Sequence, residues 1–157
     1  MIALIVAYSK NHVIGNQGRI PWKIGGEQKR FKELTTGNIV IMGRRSYEEI
    51  GKPLPNRTTI VISKTQKYEA ENCFTSESLA KALELSGDKD VYISGGAELY
   101  KEAINIVDKM YITLIDMDME GDTLFPEFDE KMFTKEINEV FYDDVPYAYL
   151  TYTRIRA

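Results

Sequence analysis

A glutamate at the start of an amphipathic segment is the residue of this chain best suited to chemistry. Glu27 follows the Pro21-Trp22 pair and two glycines, and it precedes a helical segment that contains Phe31. The N-terminus of a helix favours negative charge, so a carboxylate held there in an apolar cleft can accept the paired N–H donors of a heterocycle. An ordinary first-turn glutamate gives the same local pattern and is the commoner case. Glu27 is therefore a candidate only because of the residues that accompany it.

Two junctions between a strand and a helix have the residue types that bind phosphate. In Gly43-Arg44-Arg45-Ser46 a glycine ends a strand and two guanidinium groups precede a helix, and in Ser94-Gly95-Gly96-Ala97 a glycine pair connects a strand to a helix. Free backbone N–H groups and arginine side chains both suit phosphate oxygens, and glycines let a ligand approach the backbone closely. Plain turn chemistry explains such junctions more often than ligand binding. The dinucleotide fingerprint G-x-G-x-x-G is absent, which excludes an ordinary Rossmann domain.

A rigid turn, Pro53-Leu54-Pro55-Asn56, presents Arg57. An arginine fixed in this way can bind a ligand carboxylate through two parallel hydrogen bonds, although an exposed surface arginine remains the alternative. Metal chemistry is not expected, because one histidine, His12, and one cysteine, Cys73, cannot build an ordinary zinc site. No spacing supports Ser-His-Asp or Cys-His catalysis.

Composition narrows the class of protein. The chain has 157 residues, of which 43% are hydrophobic and 28% charged, and its length suits one domain, residues 1–157, with a real core. The net charge of −4 argues against nucleic acid as the main partner. A locally basic cleft can still bind anions, and the candidate cations are Arg44, Arg45, Lys52, Arg57 and Lys64. The apolar opening run is too short to span a bilayer, and the single cysteine fits a reducing compartment, so we expect a cytoplasmic protein without membrane association.

The elements that would hold these residues alternate between strand and helix. Short β-branched apolar runs predict strands that are buried on both faces, at Ile2–Tyr8, Ile39–Met42, Thr58–Ser63, Val91–Ser94 and Met110–Ile115. Helical spacing lies between them, at Glu27–Leu34, Ser46–Ile50, Ser76–Leu83 (with an N-cap serine) and Ala97–Val107. The alternation predicts an α/β domain with a largely parallel sheet, and Tyr147–Arg154 predicts a terminal antiparallel strand.

Taken together, these segments resemble dihydrofolate reductase, and the similarity runs from Met1 to the C-terminal strand. No single motif is decisive, but the ordered set at the family's spacing is highly specific. The segments that carry the resemblance are Ala7, Val13-Ile14-Gly15, Pro21-Trp22, Phe31-Lys32, Met42-Gly43-Arg44, Tyr47-Glu48, Ile50-Gly51, Pro53 to Arg57, Ser94-Gly95-Gly96, Tyr100, Tyr111-Ile112-Thr113, Glu120 to Thr123 and Phe125-Pro126.

The resemblance implies the family's α/β fold, a mixed, mostly parallel eight-stranded sheet flanked by four helices. It implies NADPH-dependent reduction of 7,8-dihydrofolate to tetrahydrofolate, by hydride transfer from nicotinamide C4 to pterin C6 and a proton that reaches N5 through water. In this family Glu27 would accept hydrogen bonds from N3 and the 2-amino group of the pterin, with Thr113 supporting it. Ile20, Trp22 and their loop would close over the site and exclude water. Antifolate inhibitors are expected ligands, and a monomer is the expected state.

The resemblance also assigns residues to each ligand. Those implied at the folate site are Ile5, Glu27, Gln28, Phe31, Lys32, Ile50, Lys52, Leu54, Arg57, Ser94, Tyr100 and Thr113, with Arg57 on the α-carboxylate of the glutamate tail. Those implied at the cofactor are Ala7, Val13, Ile14, Gly15, Gly18, Arg19, Ile20, Gly43, Arg44, Arg45, Ser46, Ser63, Lys64, Gly95, Gly96, Ala97, Glu98, Leu99 and Tyr100. A cis bond between Gly95 and Gly96 is a feature of the family. The resemblance places Arg44, Arg45, Ser63 and Lys64 around the adenosine 2′-phosphate of the cofactor. The positive charges of this group favour NADPH, which carries that phosphate, over NADH, which does not.

The chain departs from the common bacterial pattern near the site. Glu27 stands in place of the usual aspartate, Gln28 in place of a leucine, and Gly25-Gly26 in place of a turn that contains proline. Ala97 and Glu98 replace a third glycine and a frequent arginine, which removes one cation near the cofactor. The Gly26-Glu27-Gln28 run is similar to trimethoprim-insensitive members of the family, so we expect weak trimethoprim binding.

Two other functions fit parts of the sequence. The reductase domain of riboflavin biosynthesis shares the fold and acts on a ribosylaminopyrimidine phosphate. A nucleotide-binding module that kept the cofactor groove without the chemistry is the non-enzymatic alternative. The Pro-Trp loop, Glu27 and Arg57 favour the pterin-glutamate substrate, and the presence of both Glu27 and Thr113 argues against the loss of chemistry.

Overall fold

The computed structural model describes residues 1–15 and 25–156 of the chain. The strands of this part are β1 (Ile2–Ser9), β2 (Val13–Gly15), β3 (Ile39–Gly43), β4 (Thr58–Ile62), β5 (Cys73–Ser76), β6 (Val91–Ile93), β7 (Lys109–Ile115), β8 (Thr123–Leu124), β9 (Phe133–Phe141) and β10 (Tyr147–Arg154). The α-helices are α1 (Gly25–Thr35), α2 (Arg44–Ile50), α3 (Leu79–Ser86) and α4 (Ala97–Ala103). Four predicted site residues, Gly18, Arg19, Ile20 and Trp22, lie outside the described residues.

Eight of these strands form one sheet in the order β5-β4-β3-β6-β1-β7-β10-β9. All pairs from β5 to β7 are parallel, whereas β10 pairs antiparallel with both β7 and β9. Strands β2 and β8 form a separate antiparallel pair. The predicted mixed, mostly parallel eight-stranded sheet with four helices is therefore confirmed for the described residues.

The centre of the sheet is buried on both faces. All three residues of β6, Val91, Tyr92 and Ile93, are buried, and so is almost all of β1 and β3. The largest apolar cluster includes Leu4 and Ile41, and a smaller one on other residues of the same strands includes Ala3 and Ile5. Burial on both faces explains why these strands appear in the sequence as continuous apolar runs.

The structure corrects the bounds of two predicted helices and adds four strands, β2, β5, β8 and β9, that were not predicted. The helix predicted from Ser76 begins at Leu79, because Ser78, not Ser76, caps it by accepting a hydrogen bond from the backbone N–H of Lys81, while Ser76 ends strand β5. Helix α4 ends at Ala103, four residues before the predicted end. Strands β5 and β9 were not predicted, because both lie at the edges of the sheet, and β9 is exposed over most of its length.

No helix of the described residues is long and apolar enough to cross a membrane. Within the same residues no group of three or more histidine, cysteine or acidic side chains could hold a metal ion.

Candidate active site

A cleft of about 1500 Å³ crosses the carboxyl ends of the central parallel strands. Its volume exceeds the roughly 300–1000 Å³ usual for one small ligand, so two ligands can lie in it together. Helix α1 lines it, and so do the β3–α2 and β6–α4 junctions. The predicted residues that line it are Ile5, Ala7, Ile14, Gly15, Glu27, Gln28, Phe31, Lys32, Gly43, Arg44, Arg45, Ser46, Ile50, Leu54, Arg57, Ser63, Lys64, Ser94, Gly95, Gly96, Ala97, Glu98, Leu99, Tyr100 and Thr113.

Two described residues among the predicted set do not line the cleft. Val13 packs into the core and is 1% exposed, so its side chain is not available to a ligand. Lys52 lies in the turn after α2 and is exposed to solvent. The structure thus brings the rest of the described set to one surface and leaves these two off it.

Glu27 lies in the first turn of α1, on the wall of the cleft. Burial raises its pKa above the ordinary value of 4.5, because removal of water penalises the charged carboxylate. Tyr100 lines the same cleft, and burial and then the charge of Glu27 both raise the pKa of its phenol. That phenol stays neutral and donates a hydrogen bond of 2.8 Å to the carbonyl oxygen of Ile5. This end of the cleft therefore combines one desolvated acid with apolar and neutral polar walls.

Thr113 reaches the same end of the cleft from the sheet. It lies on β7 opposite Ala7 of β1 and is 3% exposed. Phe31, one turn along α1 from Glu27, adds an aromatic wall. A flat heterocycle can contact these apolar surfaces while its N–H groups face the carboxylate.

Arg57 is a buried cation that is held in place by neutral groups. It is 8% exposed; Nε donates to the carbonyl oxygen of Pro55 at 2.9 Å, and Nη1 donates to Oγ1 of Thr35 at 3.1 Å. Its guanidinium lies 5.8 Å from the centre of the Phe31 ring. Among the described residues it has no acidic partner, and burial lowers its pKa. A ligand carboxylate would supply the missing counter-charge.

The two glycine junctions meet on the cleft next to Tyr100. The backbone N–H of Gly43 donates to the carbonyl oxygen of Gly95 at 2.7 Å, and the Gly95–Gly96 peptide bond is cis. Gly95 has a φ of +114°, which side chains rarely allow, and a Cβ there would lie 3.3 Å from Oη of Tyr100. Gly96 immediately precedes α4. The backbone is thus open to close contact with a phosphate group.

Cations lie close to these junctions, directly after Gly43 and just after the neighbouring strand β4. Arg44 is restrained by an ion pair with Glu48, with Nε 3.3 Å from Oε1, and by a hydrogen bond to Oγ1 of Thr65. Arg45 and Lys64 are exposed on the cleft, and neither has an ion pair with another described residue. This part of the cleft can therefore accept a doubly charged anion.

One buried residue of this wall, Arg30, was not predicted from the sequence. Arg30 of α1 lines the cleft, is 8% exposed, and donates to backbone oxygens of two strands. Its partners lie 82 to 121 positions away in the chain, so no local pattern could have indicated it. Glu49 and Glu77 also line the cleft without having been predicted.

Comparisons with known proteins agree with this arrangement. The family model described as dihydrofolate reductase matches residues 1–154. A dihydrofolate reductase of type A13 from Escherichia coli is 37% identical over 155 residues, which are 98% of this chain and 94% of the relative. The dihydrofolate reductase of Bacillus subtilis is 40% identical over 131 residues, 83% of this chain and 78% of the relative.

A solved structure also superposes on the chain. It is a dihydrofolate reductase from Enterococcus faecalis complexed with NADP(H) and RAB-propyl, 36% identical, with a TM-score of 0.90. The match covers 99% of this chain and 97% of the other. Its ligands include a dinucleotide cofactor, the class of molecule that a cleft with a glycine-lined, cationic region can accept.

Proposed function

Because the chain belongs to the dihydrofolate reductase family, we propose that this cleft is where the enzyme reduces 7,8-dihydrofolate to 5,6,7,8-tetrahydrofolate with NADPH. The observation that carries the proposal is one cleft that holds a desolvated carboxylate, Glu27, and a buried guanidinium, Arg57, for which the described residues supply no acidic partner. Dihydrofolate offers the complement of both, a ring with adjacent N–H donors and a glutamate tail with carboxylates.

At the substrate end, Glu27 accepts hydrogen bonds from N3 and the 2-amino group of the pterin. Its raised pKa supports this role, because a desolvated carboxylate holds a proton more readily than an exposed one and can pass it on along the path to N5. Thr113 supports Glu27 from β7, and Phe31 contacts the body of the substrate. Arg57 binds the α-carboxylate of the glutamate tail with the donors that Pro55 and Thr35 leave unused.

The residues around the two glycine junctions fit NADPH. The Gly95-Gly96 backbone holds the pyrophosphate, and Arg44, Arg45 and Lys64 surround the 2′-phosphate, with Ser63 beside them. When bound, NADPH supplies the hydride that is added to the pterin ring. The chain keeps the two ligands in contact, which is the part of the rate enhancement that positioning contributes.

Two catalytic roles rest on residues outside the described part of the chain. Ile20 and Trp22 are proposed, on the family resemblance alone, to cover the site and exclude water. The same applies to the cofactor contacts of Gly18 and Arg19.

The test is a spectrophotometric assay of the purified protein with NADPH and dihydrofolate at the nicotinamide absorbance band. The proposal expects turnover with dihydrofolate and none with a ribosylaminopyrimidine phosphate, the substrate class of the riboflavin pathway. Turnover with the second substrate alone, or cofactor binding without turnover, would overturn it. A kinetic preference for NADH over NADPH would refute the role of Arg44, Arg45, Ser63 and Lys64 at the 2′-phosphate.

We also propose that the enzyme binds trimethoprim weakly. Gln28 places a polar, exposed side chain on the cleft beside Glu27, where an apolar residue would pack against the inhibitor's ring. The extra methylene of glutamate over aspartate also displaces the diaminopyrimidine. Gln28→Leu is expected to lower the inhibition constant, whereas a nanomolar constant for the unaltered enzyme would rule the proposal out.

We also propose a cytoplasmic monomer. Sedimentation equilibrium at micromolar concentration tests the oligomeric state, and a dimer there would be evidence against it.

A further inference from the structure

A buried arginine connects the helix that carries Glu27 to the far half of the sheet. Arg30 lies in the middle of α1, and Nη1 donates to the carbonyl oxygen of Ile112 at 2.7 Å, while Nη2 donates to that of Leu150 at 3.0 Å. Among the described residues it has no ion pair, and burial lowers its pKa. Burying a cation among neutral acceptors costs free energy, because the charge loses its contact with water. We therefore expect Arg30 to have a role that offsets this cost.

A β-bulge gives this guanidinium a further acceptor. In the β9–β10 ladder Tyr149 pairs with Glu139 and Leu150 pairs with Ile137, which leaves Asn138 as the extra residue. Asn138 Oδ1 accepts from Nη2 of Arg30 at 3.2 Å and from Oγ1 of Thr151 at 2.7 Å. Bulges next to functional sites commonly aim a side chain in this manner.

A second contact attaches the start of the same helix to β10. The hydroxyl of Tyr149 donates to the carbonyl oxygen of Gly26 at 2.6 Å. The Tyr149 ring also lies 4.7 Å from the guanidinium carbon of Arg30, within the range of a cation–π contact. Helix α1 is therefore tied to β10 at Gly26 and at Arg30, and Glu27 lies between these two points.

We propose that Arg30 and Tyr149 are positioning residues that set the placement of Glu27 against the pterin ring. Glu27 and Arg30 are three residues apart on one helix, so their side chains project from the same face, and both line the cleft. Loss of either attachment lets the first turn of α1 move away from the sheet and shifts the carboxylate. The inference rests on the proposed function, since it assigns a role within that same reaction.

The chain offers a matched control, Arg154. Its Nε donates to the carbonyl oxygen of Val107 at 2.8 Å, its Nη2 to that of Ile104 at 2.7 Å, and its guanidinium lies 4.7 Å from the Phe133 ring. It thus makes the same kinds of contact as Arg30, but it does not line the cleft. Arg30→Met and Arg154→Met remove comparable sets of interactions at different distances from Glu27.

The experiment measures kcat and KM for dihydrofolate, KM for NADPH and thermal stability in the full-length enzyme. Both methionine variants lose stability, but only Arg30→Met is expected to lower kcat/KM for dihydrofolate, by about tenfold to a hundredfold, the size of effect that a displacement near 1 Å can have. KM for NADPH stays within about twofold, because the hydrogen-bond partners of Arg30 and Tyr149 include none of the proposed cofactor residues.

Two milder variants keep the test informative if Arg30→Met does not fold. Arg30→Lys retains a charged donor and is expected to recover part of kcat/KM for dihydrofolate, and Tyr149→Phe removes only the bond to Gly26 and lowers kcat/KM less than Arg30→Met. Equal kcat/KM losses in Arg30→Met and Arg154→Met, or an unchanged kcat/KM for dihydrofolate in Tyr149→Phe and Arg30→Lys together, would overturn the proposal. Absence of turnover in the unaltered enzyme would instead refute the proposed function.

Discussion

Two adjacent glycines at the start of α1 are expected to differ in their tolerance of the same substitution. A Cβ added at Gly26 would lie 2.1 Å from Oη of Tyr147 and 2.6 Å from its Cζ, whereas a Cβ at Gly25 would meet nothing within 4 Å. Gly26→Ala must therefore push either the Tyr147 ring or the first turn of α1 aside, and Gly25→Ala has room for its methyl group.

This overlap is expected to lower the free energy of unfolding of Gly26→Ala. Inserting a methyl group into a packed site typically costs about 1–3 kcal/mol. In a chain of this length each kcal/mol lowers Tm by roughly 2–4 °C, so Gly26→Ala should lower Tm by about 2–12 °C. Gly25→Ala should leave Tm unchanged or raise it by at most about 4 °C, since alanine is up to about 1 kcal/mol better than glycine in a helix.

Differential scanning calorimetry and the reductase assay together check this prediction. Because Glu27 follows Gly26, the Gly26→Ala variant should also lose kcat/KM for dihydrofolate, and Gly25→Ala should not. Tyr147→Leu shortens the obstructing side chain, so in that background Gly26→Ala should cost less, which a double-mutant cycle measures. Equal Tm and equal activity in the two alanine variants would refute the argument that close packing against Tyr147 sets the position of this turn.

Two further predictions concern the charged residues of the cleft. Burial raises the pKa of Glu27 in the folded state above the ordinary value of 4.5 that it has in the unfolded state. Between the unfolded-state pKa and the higher folded-state pKa, the folded state therefore binds more protons than the unfolded state. The contribution of Glu27 to the free energy of unfolding falls as the pH rises through this range. Urea denaturation across a pH series should show that the free energy of unfolding of the unaltered enzyme declines with rising pH relative to that of Glu27→Gln. Parallel plots of this free energy against pH for the two proteins would contradict the burial of a titrating carboxylate. Arg57→Leu should raise KM for dihydrofolate by about thirtyfold or more, because truncating one partner of a buried charge pair costs about 2–5 kcal/mol. A dihydropterin substrate without the glutamate tail should show no comparable rise, and an equal rise for both substrates would remove Arg57 from tail binding.

How much of the fold the sequence could predict depended on burial. Strand β6 appears as a continuous apolar run because both of its faces are covered, so it was predicted within one residue of its true end. Strand β9 keeps only Phe133 fully buried, so its sequence lacks both the apolar run and a regular alternation. Ser76 and Ser78 are equally good caps in the sequence, and only the pairing of β5 with β4 decides between them.

Some residues of the candidate site could be predicted from the sequence and others could not. Glu27, Arg57 and the Gly95-Gly96 pair belong to local motifs, so their presence on one cleft could be predicted from a family resemblance. The position of Arg30 on the cleft could not be predicted, because one of its hydrogen-bond acceptors is Asn138, which lies in a bulge that exists only once β9 and β10 have paired. Contacts between residues about a hundred positions apart leave no local signal in a single sequence.

The role of Glu27 is tested by comparing hydride transfer in the unaltered enzyme and in Glu27→Gln at neutral pH, with NADPH binding measured in both. Loss of a positioned group that moves a proton typically costs about 10²–10⁴-fold in rate, so we expect a fall of that size with NADPH affinity unchanged. Full activity in Glu27→Gln would contradict the assignment of this buried carboxylate to the reaction.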